Sequence, residues 1–313
     1  MRPWHPIVLR SAPSRSPPPA GAPFRRRLEE EGDNVTNRIV VGITDAPVSR
    51  RALDWAVQRA ADRRQTVELI SVVGGAVGAV GERAVIEEAM ETSRQRLEDE
   101  VRRIEERGVV ATVRVERGNP VKRLIDAAAD AALLVIGSDY RGPDSGPARG
   151  AHGVRIVSGA RCPVVVVPDL DVSGRSGVLV GADGSDVSER AIAFAAAEAD
   201  RMREPLTVVT VWTPVVTPHN PGVYPEEYLR NMQSLAEEAL ALSVAGLRQD
   251  YPDLEIVKHV EEGYPSEILN RMAGSARLAV LGSHGRGAVA RLLLGSISEE
   301  VLARLATITS IVR

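Results

Sequence analysis

The sequence predicts a duplicated α/β protein, two domains with a parallel sheet in each. Three observations carry this. The chain has 313 residues, which at roughly 100–200 residues per domain gives two full cores. Short β-branched runs alternate with longer helical stretches, the pattern of βαβ units. The second half also repeats the first. Val41, Gly42, Val48, Ser49, Arg51, Ala52 and Ala56 recur 139 positions on as Val180, Gly181, Val187, Ser188, Arg190, Ala191 and Ala195. Glu116, Gly118, Pro120, Leu124, Leu133, Val135, Gly137, Ser138, Arg141, Gly142 and Gly150 recur 145 positions on as Glu261, Gly263, Pro265, Leu269, Leu278, Val280, Gly282, Ser283, Arg286, Gly287 and Gly295. Such self-similarity decides the architecture before any single element does. Residues 38–168 and 177–313 are therefore two copies of one domain, and 169–176, with its Ser and Gly, is the linker.

In the first copy, strands are predicted near 38–43, 66–73, 109–116, 133–138 and 163–168, with helices near 47–63, 82–107, 120–131 and 150–160. The second copy has strands near 177–182, 205–212, 254–261, 277–283 and 307–312, with helices near 186–202, 226–249, 265–275 and 296–305. Helix starts carry their own chemistry. Asn119-Pro120 offers an N-cap followed by Pro in the first turn, and Asp186-x-x-Glu189 and Ser296-x-x-Glu299 have the spacing of capping boxes.

Ahead of the first copy, residues 1–37 interleave Pro3, Pro6, Pro13, Pro17, Pro18, Pro19 and Pro23 with Arg and Ser, so no stretch can bury a face. A disordered extension is expected there. It has no apolar core of a secretory signal, and a translation start near Val35 is expected from the purine-rich codons that Glu29-Glu30-Glu31-Gly32 requires. Intact mass of the natively produced protein decides that point.

Composition narrows the function. With 39 Lys+Arg against 42 Asp+Glu the net charge is −3, so no positive field draws the chain to nucleic acid or anionic lipid. One cysteine, Cys162, excludes an intrachain disulfide framework and a CxxC metal site, and fits a reducing cytoplasm. No apolar run approaches the ~20 residues of a membrane span. The P-loop, the dinucleotide G-x-G-x-x-G, a G-x-S-x-G elbow and zinc-type histidine spacing are all missing.

In an open parallel sheet, ligands bind beyond the carboxyl ends of the strands where strand order reverses, which directs attention to the loops after the first and fourth strands. After the fourth strand of the second copy comes Gly282-x2-Gly285-x9-Gly295-Ser296. Those glycines either allow positive φ and a close backbone approach to an anion, or simply form a turn. Gly295-Ser296 then opens a helix whose unpaired N–H groups favour phosphate. After the first strand, Asp183 stands beside the same crevice, where its carboxylate suits a ribose hydroxyl, an adenine amino group or a local turn. His284, inside the loop, suits a ribose or phosphate contact.

With these motifs the chain resembles a tandem universal stress protein. Residues 282–296 fit that family's G-x2-G-x9-G-[ST] signature, and "GADGS" is similar to its first-strand motif. The resemblance implies two Rossmann-like (adenine nucleotide alpha hydrolase-like) domains, each a five-stranded parallel sheet of order 3-2-1-4-5 with helices on both faces, and ATP across the crevice. It implies that Asp183 and Val211 contact the adenine end, which Ala182 lines. Leu281, Gly282, His284, Gly285, Arg286, Gly295, Ser296 and Ile297 would hold ribose and phosphates, with Mg2+ accompanying the phosphates. It further implies a pseudo-dimer of the two copies through their fifth strands, and a homodimer of the whole chain is expected from that.

The first copy departs from the signature: Thr44 stands where Asp183 does, Tyr140 where Gly285 does and Ala151 where Ser296 does, while Pro143 and Pro147 stiffen the loop. Weak or no ATP binding is expected there unless Asp45 or Asp139 substitutes. No Walker lysine or base is identified, so the expected function is a cytoplasmic ATP-binding stress regulator with an unidentified protein partner rather than a turnover enzyme. Slow hydrolysis through Mg2+ and Arg286 stays open, as does a nucleotide-independent scaffold. The proline-rich stretch 212–228 is expected to cover the crevice or a partner surface.

Overall fold

The computed structural model describes residues 36–74, 82–141, 151–214, 224–285 and 294–313. The expected disordered extension lies outside them up to residue 35, and the first strand already begins at Thr36. In the first half the elements are β1 (Thr36–Gly42), α1 (Val48–Arg63), β2 (Thr66–Val73), α2 (Glu82–Glu105), β3 (Ala111–Arg117), α3 (Pro120–Ala127), β4 (Ala131–Ser138), α4 (Ala151–Gly159) and β5 (Val164–Pro168). The second half follows with β6 (Val178–Gly181), α5 (Asp186–Met202), β7 (Leu206–Trp212), α6 (Glu226–Val244), α7 (Leu247–Asp250), β8 (Ile256–Glu262), α8 (Pro265–Ala273), β9 (Leu278–Gly282), α9 (Ser296–Arg304) and β10 (Ile308–Val312).

Side chains alternate across a strand, and buried runs of β-branched residues such as VVVVP in β5 require cover on both faces. Both faces are covered. Ile39 and Val41 join one buried layer with α1, α2, α5 and α6, while Val40 joins the opposite layer with α3, α4, α8 and α9. Among the described residues ten strands form one sheet of order β3-β2-β1-β4-β5-β10-β9-β6-β7-β8, parallel within each half. At its centre β5 and β10 run antiparallel, with Val166 opposite Thr309 and Val164 opposite Ile311. This pairing consumes the two apolar edges that would otherwise be exposed.

The halves also meet through α1 and α5. Arg59 Nε donates to Glu198 Oε1 at 2.9 Å, with the Glu198 carboxylate fully buried, and Arg201 Nη1 donates to Asp62 at 2.7 Å. Arg59 lies over the ring of Phe194 and Arg201 over that of Trp55. Burial pushes the Glu198 carboxyl up, but Arg59, Arg201 and Arg63 together hold it below its ordinary value of 4.5.

Three local expectations change. The helix expected over 120–131 ends at Ala127, because Ala131 pairs with Thr36 and opens β4. The helix expected over 226–249 breaks after Val244 and restarts at Leu247, with Gly246 between the two. The N-cap of α5 is Ser185, whose hydroxyl accepts from Ser188 N, rather than Asp186, and that of α9 is Gly295, without any side-chain cap. Asn119 caps α3 by accepting from Lys122 N at 3.2 Å.

Candidate functional site

In the second half β6 pairs with β7 on one side and β9 on the other, so the chain leaves the carboxyl end of β6 at a switch point. A cavity of about 550 Å³ opens there. Its lining includes Ala182, Asp183, Val211, Leu281, Gly282, His284, Gly285, Gly295, Ser296 and Ile297. Arg286 lies outside the described residues.

Asp183 is held by a short relay. Its Oδ1 accepts from Ser185 N at 3.0 Å and from Ser185 Oγ at 2.6 Å, and Ser185 Oγ in turn accepts from Ser188 N. The positive φ this turn needs, +73°, falls on Gly184. None of Gly282, Gly285 and Gly295 has a positive φ, so the expectation of left-handed backbone in the loop is corrected. Close approach is what favours glycine there. A Cβ at Gly285 would collide with Asp183 Oδ2, and one at Gly295 would stand 3.2 Å from His284 Cα. The loop closes on itself as Gly295 N donates to Ser283 O at 2.7 Å, and Ser298 Oγ ties α9 to Gly282 O at 2.7 Å.

At the start of α9 the N–H groups of the first turn have no side-chain cap, and Ser296, Ile297 and Ser298 line the cavity. Such a terminus attracts an anion through its free donors and its dipole. Half-buried His284 is oriented by a 2.9 Å contact between its Nδ1 and Ser283 Oγ. Opposite, Val209, Val211, Leu269, Leu281 and Pro265 make an apolar wall. The sequence pointed to Val211 and Leu281 but not to Gly181, Ser188, Val209, Pro265, Leu269 or Ser298. Val209 was findable, since it lies two residues before Val211 on the same face of β7.

The corresponding region of the first half is a cavity of about 690 Å³. Thr44 turns its hydroxyl to Ser49 Oγ at 2.9 Å, and Asp45 is ion-paired to Arg96, away from this cavity. Asp139 lines it. Tyr140, which stands where Gly285 does, is not in the described lining: its side chain is buried in the apolar layer. Pro143 and Pro147 lie outside the described residues, as does 215–223 of the proline-rich stretch. Cys162 is buried and its thiol is pushed up to about 11, so it carries no thiolate at neutral pH.

Fold and site thus define a duplicated, doubly wound α/β protein with a glycine-loop crevice in its second half. The profile of the Universal stress protein family matches residues 36–168 and again 175–313, and the chain belongs to that family. It is 33% identical over 277 residues to Universal stress protein Rv2623 of Mycobacterium tuberculosis (strain H37Rv), covering 84% of this chain and 92% of that protein. A universal stress protein of Mycolicibacterium smegmatis is 30% identical over 287 residues, covering 88% and 96%. Among solved structures, a universal stress protein from Archaeoglobus fulgidus superposes with a TM-score of 0.62 at 20% identity, covering 89% of this chain and 97% of its own. A putative one from Pseudomonas aeruginosa gives 0.63 at 15%, covering 89% and 94%. These two similarities concern the fold. Among the described residues no helix is long and apolar enough to cross a membrane.

Proposed function

We propose that the second half binds ATP and that its occupancy regulates the protein's partner choice, with no turnover chemistry of its own. The observation that carries this reading is the convergence, in one cavity, of an uncapped helix N-terminus, two glycines in close contact with Asp183 and His284, and the Asp183 carboxylate. Adenine would lie against Val209, Val211 and Leu269 with Asp183 at the same end, and the ribose and phosphates would lie along Leu281, Gly282, His284, Gly285, Gly295 and the first turn of α9, accompanied by Mg2+. Ser296 and Ile297 would present their backbone N–H groups there. The first half would not take nucleotide, because its equivalents of Asp183, His284 and Ser296 are Thr44, Asp139 and Ala151. Regulation by occupancy in the cytoplasm, and association of two whole chains, complete the proposal.

The test is to denature the purified protein and quantify released nucleotide by chromatography and mass spectrometry. About one ATP per chain is expected, and none from Gly285→Tyr. No nucleotide, and none taken up from added Mg-ATP, would overturn the reading in favour of a nucleotide-independent scaffold. Steady turnover at ordinary kinase rates, roughly 1–100 per second, would overturn the regulatory part.

A further inference from the structure

The first-half cavity keeps the apolar floor of a ligand site while its described polar residues differ from those of the second half. Its apolar floor matches that of the second half position by position: Val72 for Val211, Pro120 for Pro265, Leu124 for Leu269 and Ile136 for Leu281. Leu302 and Leu305, from α9 and the residue after it, extend the floor, so both halves build the wall. At about 690 Å³ the space lies within the range of small-molecule pockets, roughly 300–1,000 Å³. Its charge is of the opposite kind to a nucleotide site. Where the second half has His284 this cavity has Asp139, Glu299 joins it from α9, and no Lys or Arg is among the described lining residues. Among the described lining residues the ionisable groups are the carboxylates of Asp139 and Glu299 and the His152 imidazole, a balance that attracts a cation more than a phosphate.

We propose that this cavity is a second ligand site, specific for a small, largely apolar molecule with a cationic amine head and no phosphate. The apolar body lies on Val72, Leu124, Ile136 and Leu302, and the ammonium group faces Asp139 and Glu299 at the exposed rim. Thr44, Ser49 and Ser138 add hydroxyl groups at the same cavity for further hydrogen bonds.

The test uses the full chain and two probes that share one ring system, 1-naphthylmethylamine and 1-naphthoate, followed by equilibrium dialysis with and without saturating Mg-ATP. The expected result is one equivalent of the amine per chain, at least tenfold tighter than the carboxylate, and undisplaced by ATP. Asp139→Asn, a change at an exposed position, should narrow that preference severalfold, and Val72→Trp should abolish amine binding while leaving ATP stoichiometry and circular dichroism unchanged. If Val72→Trp disturbs the fold, Ala303→Trp at the exposed rim makes the same test. Equal or tighter binding of naphthoate, indifference to both tryptophans, or stoichiometric displacement of the amine by Mg-ATP would each overturn the proposal. Amine binding in a chain that takes no ATP would sink the nucleotide reading and leave this one standing.

Discussion

The two halves share a sheet, a helix order and an apolar floor, yet they differ in charge at two places that matter, the turn after the first strand and the contact between α1 and α5. Around the turn after the first strand, the second half has Asp183, Gly184 and Ser185, a carboxylate held by a capping serine across a positive-φ glycine. The first half has Thr44, Asp45 and Ala46, and the helix that follows is capped by Pro47 without a side-chain bond. At the contact between α1 and α5, equivalent positions carry opposite charges: Arg59 faces Glu198, and Asp62 faces Arg201. Two copies of one half docked in this geometry would set Arg59 against another Arg59 in a buried site. The opposite charges at equivalent positions thus make the pairing specific between unlike halves.

The largest effect is expected at that contact. Glu198→Ala leaves the buried Arg59 without its carboxylate partner and Arg201 without one of two, and breaking such a buried pair costs about 3–5 kcal/mol. Urea unfolding should show the loss. Exchanging the charges, Arg59→Glu with Glu198→Arg, should recover part of it, and a double variant no better than the sum of its singles would refute charge complementarity as the cause. Because Glu198 is held below its ordinary 4.5 in the folded protein, its contribution is fully present above that value and is lost as pH falls through the lower folded value. Wild-type stability should therefore drop on acidification below about pH 4 more steeply than that of Glu198→Gln.

Next in size is the glycine loop. Gly285→Tyr imports the first-half residue where a Cβ collides with Asp183, and ATP affinity should fall at least 100-fold, about 2.7 kcal/mol. The reverse change, Tyr140→Gly, should not create a nucleotide site, since Tyr140 is buried in the core and Asp139 remains. Isothermal titration of both variants makes the comparison. ATP binding gained by Tyr140→Gly would mean that a single residue separates the halves.

Much of this was legible in the sequence, and the limits have physical causes. Strands declared themselves because buried β-branched runs are short and bounded, and the repeat fixed their order along the chain. The end of α3 was not legible, since the alanine run 127–129 contains no stop signal and tertiary pairing of Ala131 with Thr36 ends the helix instead. The polar end of the site was readable from glycine spacing and Asp183, although the glycines act through close approach rather than left-handed backbone. Val209 and Leu269 went unread because an apolar residue lining a cavity has the same sequence signature as one in the core. The Arg59–Glu198 pair is invisible until the halves are folded face to face, even though the repeat already aligns its two positions.

A smaller effect sharpens the comparison at the turn. Asp183→Asn keeps an acceptor for Ser185 and removes the charge, so ATP affinity should fall about tenfold, or about 1.4 kcal/mol, with little change in stability. Thr44→Asp in the first half should leave nucleotide binding absent, because Asp139 and Ala151 still stand where the second half has His284 and Ser296. Titration of each variant with Mg-ATP is sufficient. Unchanged affinity in Asp183→Asn would reduce the carboxylate to a turn-forming role.

The smallest effect expected joins the two cavities. Helix α9 is a wall of both: Ser296, Ile297 and Ser298 at its start line the second-half cavity, while Glu299, Leu302 and Ala303 line the first-half one. It is nine residues long, tied to β9 by Ser298 and to the core by Val301 and Leu302, so it moves as a unit if it moves at all. A ligand that fixes the helix from one side lowers the ordering cost of binding on the other. Saturation with 1-naphthylmethylamine should therefore tighten ATP binding about fivefold, and saturation with ATP should tighten the amine by the same factor, because linkage is reciprocal. Unequal factors would point to a second binding mode, and no change in either direction would make α9 a passive partition between independent sites.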